Sequence, residues 1–216
     1  MDAIFDRSEP DNAARSKLDK KMLHTIVFAG HRIDEAGRGK PRFPPHRETK
    51  ARDLIREKLK AVLDPSTRIH VLSSAAPGSD ILCHEICREL QIESTICLPM
   101  PKESFGRLVF RDEENWRARF LELVSSRPVL QLSDQEDLPR WLRTSDLNVW
   151  ERGNRWVLEM AQASFSAKVT LITLWDGKTT GDAPGGTAHM VELARDAGTI
   201  VEVRIDAKQL TEGRAI

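Results

Sequence analysis

His24-Thr25-Ile26-Val27-Phe28-Ala29-Gly30 is the stretch on which the fold turns. A short run rich in apolar and β-branched residues closes on a glycine, which reads as a strand that ends abruptly. Beyond Gly30 the chain changes character and becomes a loop full of Gly, Pro and Arg as far as Pro45. Between His46 and Val62 the apolar residues Ala51, Leu54, Ile55, Leu59 and Val62 return at helical spacing. One strand, one long loop and one amphipathic helix therefore form the first unit.

The same alternation continues outward. Ile69-His70-Val71-Leu72 is a second strand, broken at Ser73-Ser74-Ala75-Ala76-Pro77-Gly78. A helix is expected from Ser79 or Asp80, burying Ile81, Leu82, Ile86 and Leu90. Ile92 to Leu98 forms a third strand, stopped by Pro99 and Pro101. A helix over Asp112–Ser125 turns Trp116, Phe120, Leu121 and Val124 to one side, and Pro128–Leu132 follows as a fourth strand. Ser133 to Asn148 is polar and irregular, a surface loop. Val149–Ala163 is a helix, Val169–Trp175 the clearest strand of the chain, and Gly177–Gly186 a glycine-rich turn. A helix over Thr187–Ala197 and a strand over Ile200–Ile205 complete the series.

Strands alternating with helices specify an α/β, Rossmann-like fold: a mostly parallel sheet with helices on both faces. The expected organisation is a polar N-terminal tail over 1–21, one domain over 22–206 and a C-terminal tail over 207–216. Right-handed crossovers place every strand-to-helix loop on one rim of such a sheet, where ligands bind. The loops after Ala29, Leu72, Leu98 and Trp175 are nominated on that ground.

Composition narrows the function. Lys+Arg and Asp+Glu both total 33, giving zero formal net charge in 216 residues. That argues against nucleic acid as a partner, which calls for an excess of basic charge; a small anion needs only a local cluster of cations. No stretch approaches the roughly 20 apolar residues that span a bilayer, and Met1–Lys20 lacks the apolar centre of a secretory signal. A cytoplasmic protein is expected. Cys83, Cys87 and Cys97 read as reduced, buried thiols. A metal site at Cys83, His84 and Cys87 is not supported, because only the two cysteines share a helical face. His24, His46, His70 and His84 are taken as structural. Self-association is left open.

Three loops carry the chemistry. In Gly30-His31-Arg32-Ile33-Asp34, the glycine admits a ligand close to the backbone and Arg32 offers a planar fork to phosphate or carboxylate. Arg38, Lys40, Arg42 and Arg47 follow it. In Ser74 to Asp80, small residues clear space before the N-terminus of a helix, an anion site by its free amides and dipole; Gly78 and Ser79 belong to it, although Ser79 or Asp80 serves equally as an N-cap. In Pro184-Gly185-Gly186-Thr187, a glycine turn again opens a helix, without the lysine of a P-loop. Trp175 supplies an apolar wall for a base, and Arg152 and Asn154 stand near a helix start.

With Gly30-His31-Arg32, Ala76-Pro77-Gly78-Ser79-Asp80 with His84, Arg152 and Asn154, and Pro184-Gly185-Gly186-Thr187 with Met190-Val191, the chain from Met22 to Ile205 resembles the SLOG superfamily. That group includes DNA-processing protein A, the lonely-guy phosphoribohydrolases and bacterial ligand-sensing and signalling domains. The resemblance implies a nucleotide or nucleotide-derived ligand and no other cofactor. It implies contacts from Gly30, His31, Arg32, Ser74, Gly78, Ser79, Asp80, Arg152, Asn154, Trp175, Gly185, Gly186 and Thr187. Phosphoribohydrolases of this kind place a glutamate three positions after the threonine; here that position is Met190. Glu192 lies about 200° further round a helix. Binding or sensing without catalysis is therefore expected. The alternative is a hydrolase of nucleotides or their N-glycosidic bond, with Glu192, Asp80 and Arg152 as its candidate residues.

Overall fold

The computed structural model describes residues 21–111, 113–138, 140, 148–164, 166–179 and 184–211. Residues 1–20 of the expected N-terminal tail, the expected helix start at Asp112 and the last residues, 212–216, lie outside them.

Strand β1 (Met22–Gly30) is buried continuously from His24 to Phe28. Its side chains alternate between two cores, Ile26 and Phe28 on one face and Val27 on the other. A strand covered on both faces must lie inside a sheet, and β1 is paired on both edges. The sheet contains β2 (Thr67–Ser73), β3 (Glu93–Leu98), β4 (Val129–Gln131), β5 (Lys168–Trp175) and β6 (Val201–Asp206). Its order is β4-β3-β2-β1-β5-β6 and every pairing is parallel.

Helices α1 (Glu48–Ala61), α2 (Ser79–Glu89), α3 (Lys102–Val109) and α4 (Glu114–Ser126) cover the Ile26 and Phe28 face. Helices α5 (Val149–Ala163) and α6 (Thr187–Ala197) cover the other, through Val157, Leu158, Ala161, Met190, Val191 and Ala194. From β1 the chain winds outward to β4, then crosses back to lay β5 on the opposite edge of β1. The winding direction reverses between β1 and β5. Loops from neighbouring strands part there, which opens a crevice at the carboxyl ends.

Two elements go beyond the sequence expectation. Pro99 and Pro101 stop β3, but Pro101 then serves as the N-cap of α3, whose Phe105 and Val109 are buried. Phe105 packs with Phe110 and Phe120 in an aromatic cluster, at centroid distances of 6.3 and 5.6 Å. After β6, where a tail was expected, Lys208–Thr211 forms one further turn, α7, with Ala207 and Leu210 buried. No helix among the described residues is long and apolar enough to cross a membrane. Cys83, Cys87 and Cys97 are buried and unpaired, and burial pushes the Cys97 thiol up to about 12.

Three of the histidines, the buried His24 and His84 and the half-buried His70, are satisfied locally. His24 bonds Thr170 at 2.9 Å and His70 bonds Thr95 at 2.8 Å. His84 is fully buried, with Nε2 donating to the Ser74 carbonyl at 2.9 Å and Nδ1 accepting from the Ser94 hydroxyl at 3.0 Å. Burial lowers its pKa to about 4. The unfolded chain, with a histidine pKa near 6.5, binds a proton that the folded ring refuses down to about pH 4. The stability from neutral His84 is thus complete above pH ~6.5 and is lost as the pH falls. Urea unfolding of wild type and His84→Asn should show it: between about pH 7 and about pH 4.5 the variant loses roughly 2 kcal/mol less than wild type. Thr173 Oγ1 is buried without a hydrogen-bond partner among the described residues. Thr173→Val keeps the shape and removes that hydroxyl, so it should raise stability by about 1 kcal/mol, read as an upward shift in Tm.

Candidate functional site

The loop after β1 is held at its base by Asp34. This buried carboxylate accepts the backbone amides of Arg42 and Phe43 at 2.8 and 2.9 Å, while its own amide donates to the Phe43 carbonyl at 2.8 Å. Phe43 is fully buried. Residues 35–42 thus form an excursion pinched off at its ends, which accounts for the length of the loop.

The loops after β1 and β2 are clasped backbone to backbone. Arg32 and Gly78 form an antiparallel bridge, and the Ile33 amide donates to the Pro77 carbonyl at 3.0 Å. The His31 carbonyl accepts from both the amide and the hydroxyl of Ser79, at 3.2 and 2.7 Å. Gly78 has φ +107, and a Cβ there would strike the Ile33 amide. Gly78 and Ser79 therefore hold the two loops together and do not line the crevice. Their neighbours Ser74 and Asp80 do.

The loop after β5 joins the same assembly. The Asp176 amide donates to His31 Nε2 at 3.1 Å. Asp176 Oδ1 lies 3.4 Å from the same nitrogen and Lys178 Nζ lies 3.2 Å from Oδ2. Further on, Gly185 has φ +74 and rests against Trp150, where a Cβ would clash. Asn154 Nδ2 donates to the Gly185 carbonyl at 2.8 Å and fixes the turn that opens α6. Gly181, Asp182 and Ala183, the first half of the expected glycine-rich motif, lie outside the described residues.

Together these loops bound a crevice of about 970 Å³. Phe105, Trp150, Val157, Trp175 and Met190 form apolar walls, His31, Ser74 and Asp80 a polar floor, and Arg32, Arg38, Arg111 and Lys178 bring cations. Three helix N-termini reach it, in different states. The α2 end has its first amide on the His31 carbonyl. The α5 end is closed by Asn148, whose side chain accepts from Trp150 and Glu151, with Glu151 returning the bond. The α6 end starts at Gly186 with no side-chain cap and no acid in its first turn.

Burial dominates the titration of the floor. It pushes Asp80 up to about 6, with the donors Ser74, Gly30 and Ala76 and the Arg32 charge opposing it only in part. Burial and the Arg42 charge lower His31 to about 4 against the pull of Asp176, so the ring is neutral at pH 7. A backbone amide can only donate, so Nε2 is the acceptor and the ring proton sits on Nδ1. Asp80 is the one of these groups able to exchange a proton near neutral pH.

Of the residues selected from sequence, the structure brings Gly30, His31, Arg32, Ser74, Asp80, Asn154, Trp175, Gly185, Gly186 and Thr187 to the crevice. Arg152 does not line it and faces Glu159 at 3.3 Å. Glu192 is exposed and also lies outside it. Met190 is buried and lines the wall. Helical spacing separates these groups: Trp150, Gly153, Asn154 and Val157 share the crevice face of α5, and Arg152 points elsewhere. Phe105 and Arg111 were not selected, because α3 itself was not expected. No group of three metal-binding side chains occurs among the described residues.

The sheet order and the crevice at its reversal point define a Rossmann-like α/β protein. No protein family matches the sequence, and no curated protein is similar to it. Among solved structures, DNA processing protein A from Streptococcus pneumoniae is similar over 93% of this chain, at 12% identity and TM-score 0.40. SuiB from Streptococcus suis, solved with S-adenosylmethionine, is similar over 95%, at 12% identity and TM-score 0.28. The chain spans 64% of the first and 55% of the second. These likenesses concern the fold alone.

Gly78→Ala tests the clasp. Placing a Cβ at positive φ against a backbone amide should cost at least about 2 kcal/mol, measured by chemical unfolding, and a variant of unchanged stability would count against the clasp.

Proposed function

We propose that this protein binds a nucleotide or nucleotide-derived anion in the crevice, as a ligand-binding or sensing domain. The open N-terminus of α6 carries the reading. Among the described residues, it is the one of the three helix ends at the crevice whose first turn has neither a side-chain cap nor a backbone carbonyl from a neighbouring loop. Free amides at the positive end of a helix dipole suit a phosphate. Arg32, whose Nη2 donates to the Val109 carbonyl at 2.8 Å, has further donors facing the same space. The apolar walls, Trp175 among them, suit the flat face of a base.

The loop motifs that resemble the SLOG superfamily support the same ligand class, and its bacterial sensing and signalling members fit a domain of this kind in the cytoplasm. Met190 at the wall supports binding over glycosidic cleavage, because a thioether neither activates water nor stabilises a ribosyl cation. Zero net charge favours a small anion over nucleic acid. The hydrolase reading rests on one observation, the proton affinity of Asp80 near neutral pH.

Calorimetry with mono-, di- and cyclic nucleotides should give saturable binding for at least one, without release of free base. Gly186→Asp supplies a carboxylate as N-cap at a position with φ −73 and ψ −178, a conformation open to aspartate. It should leave the fold as stable as before or slightly more so, while lowering phosphate-ligand affinity at least about tenfold. A folded protein that binds none of the panel would refute the proposal; free base accumulating during incubation would favour the hydrolase.

A further inference from the structure

Two buried polar groups on the crevice floor are incompletely satisfied by the protein. Asp80 is 7% exposed. A carboxylate has about four lone-pair sites; the Gly30 amide takes one at 3.2 Å, the Ser74 hydroxyl another at 2.6 Å and the Ala76 amide a third, which leaves one open. No cation forms an ion pair with it among the described residues, and the Arg32 guanidinium donates instead to the Val109 carbonyl. A buried carboxylate without an ion-pair partner in contact is expensive to hold. His31 is 5% exposed, and with Nε2 occupied by the Asp176 amide its Nδ1–H has no acceptor among the described residues. The two residues line the same crevice and flank Gly30. His31 follows Gly30 in sequence, and Asp80 binds the Gly30 amide.

An open acceptor beside an open donor selects its guest by chemistry. A phosphate oxygen only accepts and is repelled by the carboxylate. An ammonium only donates and leaves the His31 proton unused. A hydroxyl does both. We propose that Asp80 and His31 together bind a hydroxyl of the ligand, donating to Asp80 and accepting from His31, so that the site selects a ribose over a deoxyribose. This rests on the nucleotide reading above and adds to it a polar end opposite the phosphate. The preference is a specificity of the crevice floor, independent of the base.

The test is calorimetry of the full chain with AMP, GMP and CMP, with their 2′-deoxy and 3′-deoxy counterparts, and with inorganic phosphate. At least one ribonucleotide should bind roughly 10- to 100-fold more tightly than one of its deoxy forms. In Asp80→Asn that ratio should fall to near one while inorganic phosphate still binds. The ratio is the readout, because a purely structural role for Asp80 would weaken all ligands alike. His31→Gln, which keeps an acceptor for the Asp176 amide, should lower the same ratio and serves as the second variant if Asp80→Asn does not fold. Equal binding of ribo and both deoxy forms by wild type overturns the proposal, as does a preference that survives in both variants. If neither phosphate nor any nucleotide binds, the nucleotide reading falls first and this one with it.

Discussion

His31 is where three loops meet, and the rest of the site depends on its two attachments. Its carbonyl receives the amide and the hydroxyl of Ser79 at the start of α2, and its ring receives the amide of Asp176 beyond β5. Parallel strands fix only where their loops begin; they do not make those loops converge. Convergence here comes from backbone groups whose partners lie in another loop, and burial makes leaving them unpaired costly. The neutral state of the ring follows from the same packing, because an imidazolium could not accept the Asp176 proton.

The two sheet neighbours of β1 explain why this point becomes a crevice. β2 and β5 lead into helices on opposite faces, α2 on one and α6 on the other. The space between them is walled by side chains that also belong to the two cores, such as Phe105 and Trp175. Charge is organised with the same economy. Glu85 is gripped by Arg52 at 2.7 Å and by two nitrogens of Arg119 at 2.7 Å each, and Arg119 also reaches Glu48 at 2.8 Å. That network ties α1, α2 and α4 together, so much of the balanced charge of the chain serves packing away from the crevice.

Much of the fold was legible in the sequence because its signals are local. The bounds of α5 and α6 follow from amphipathic spacing and their opening residues, and the strands from short β-branched runs closed by Gly, Ser or Pro. α3 escaped because two prolines read as a stop, whereas Pro101 caps a helix only two turns long. Within the site, composition could nominate loops but could not orient their residues. Ser79 and Asp80 are adjacent, yet one faces the neighbouring loop and the other the crevice. Arg152 and Asn154 looked equivalent near a helix start, although period 3.6 already separates them by about 200°. The Asp34–Phe43 clasp and the neutral tautomer of His31 depend on partners brought together by folding, and no spacing rule reveals them.

The pairing of β1 with β5, from His24 beside Lys168 to Gly30 beside Leu174, bears on how the molecule comes into being. β1 is synthesised well before β5, and one of its edges stays open until some 140 residues later. Contacts so distant along the chain form slowly, and until they do a central, apolar strand edge is available to improper partners. The ligand pocket is therefore a product of the last stages of assembly, and an abbreviated translation product ending before β5 would have the beginnings of a sheet but no place to hold a guest.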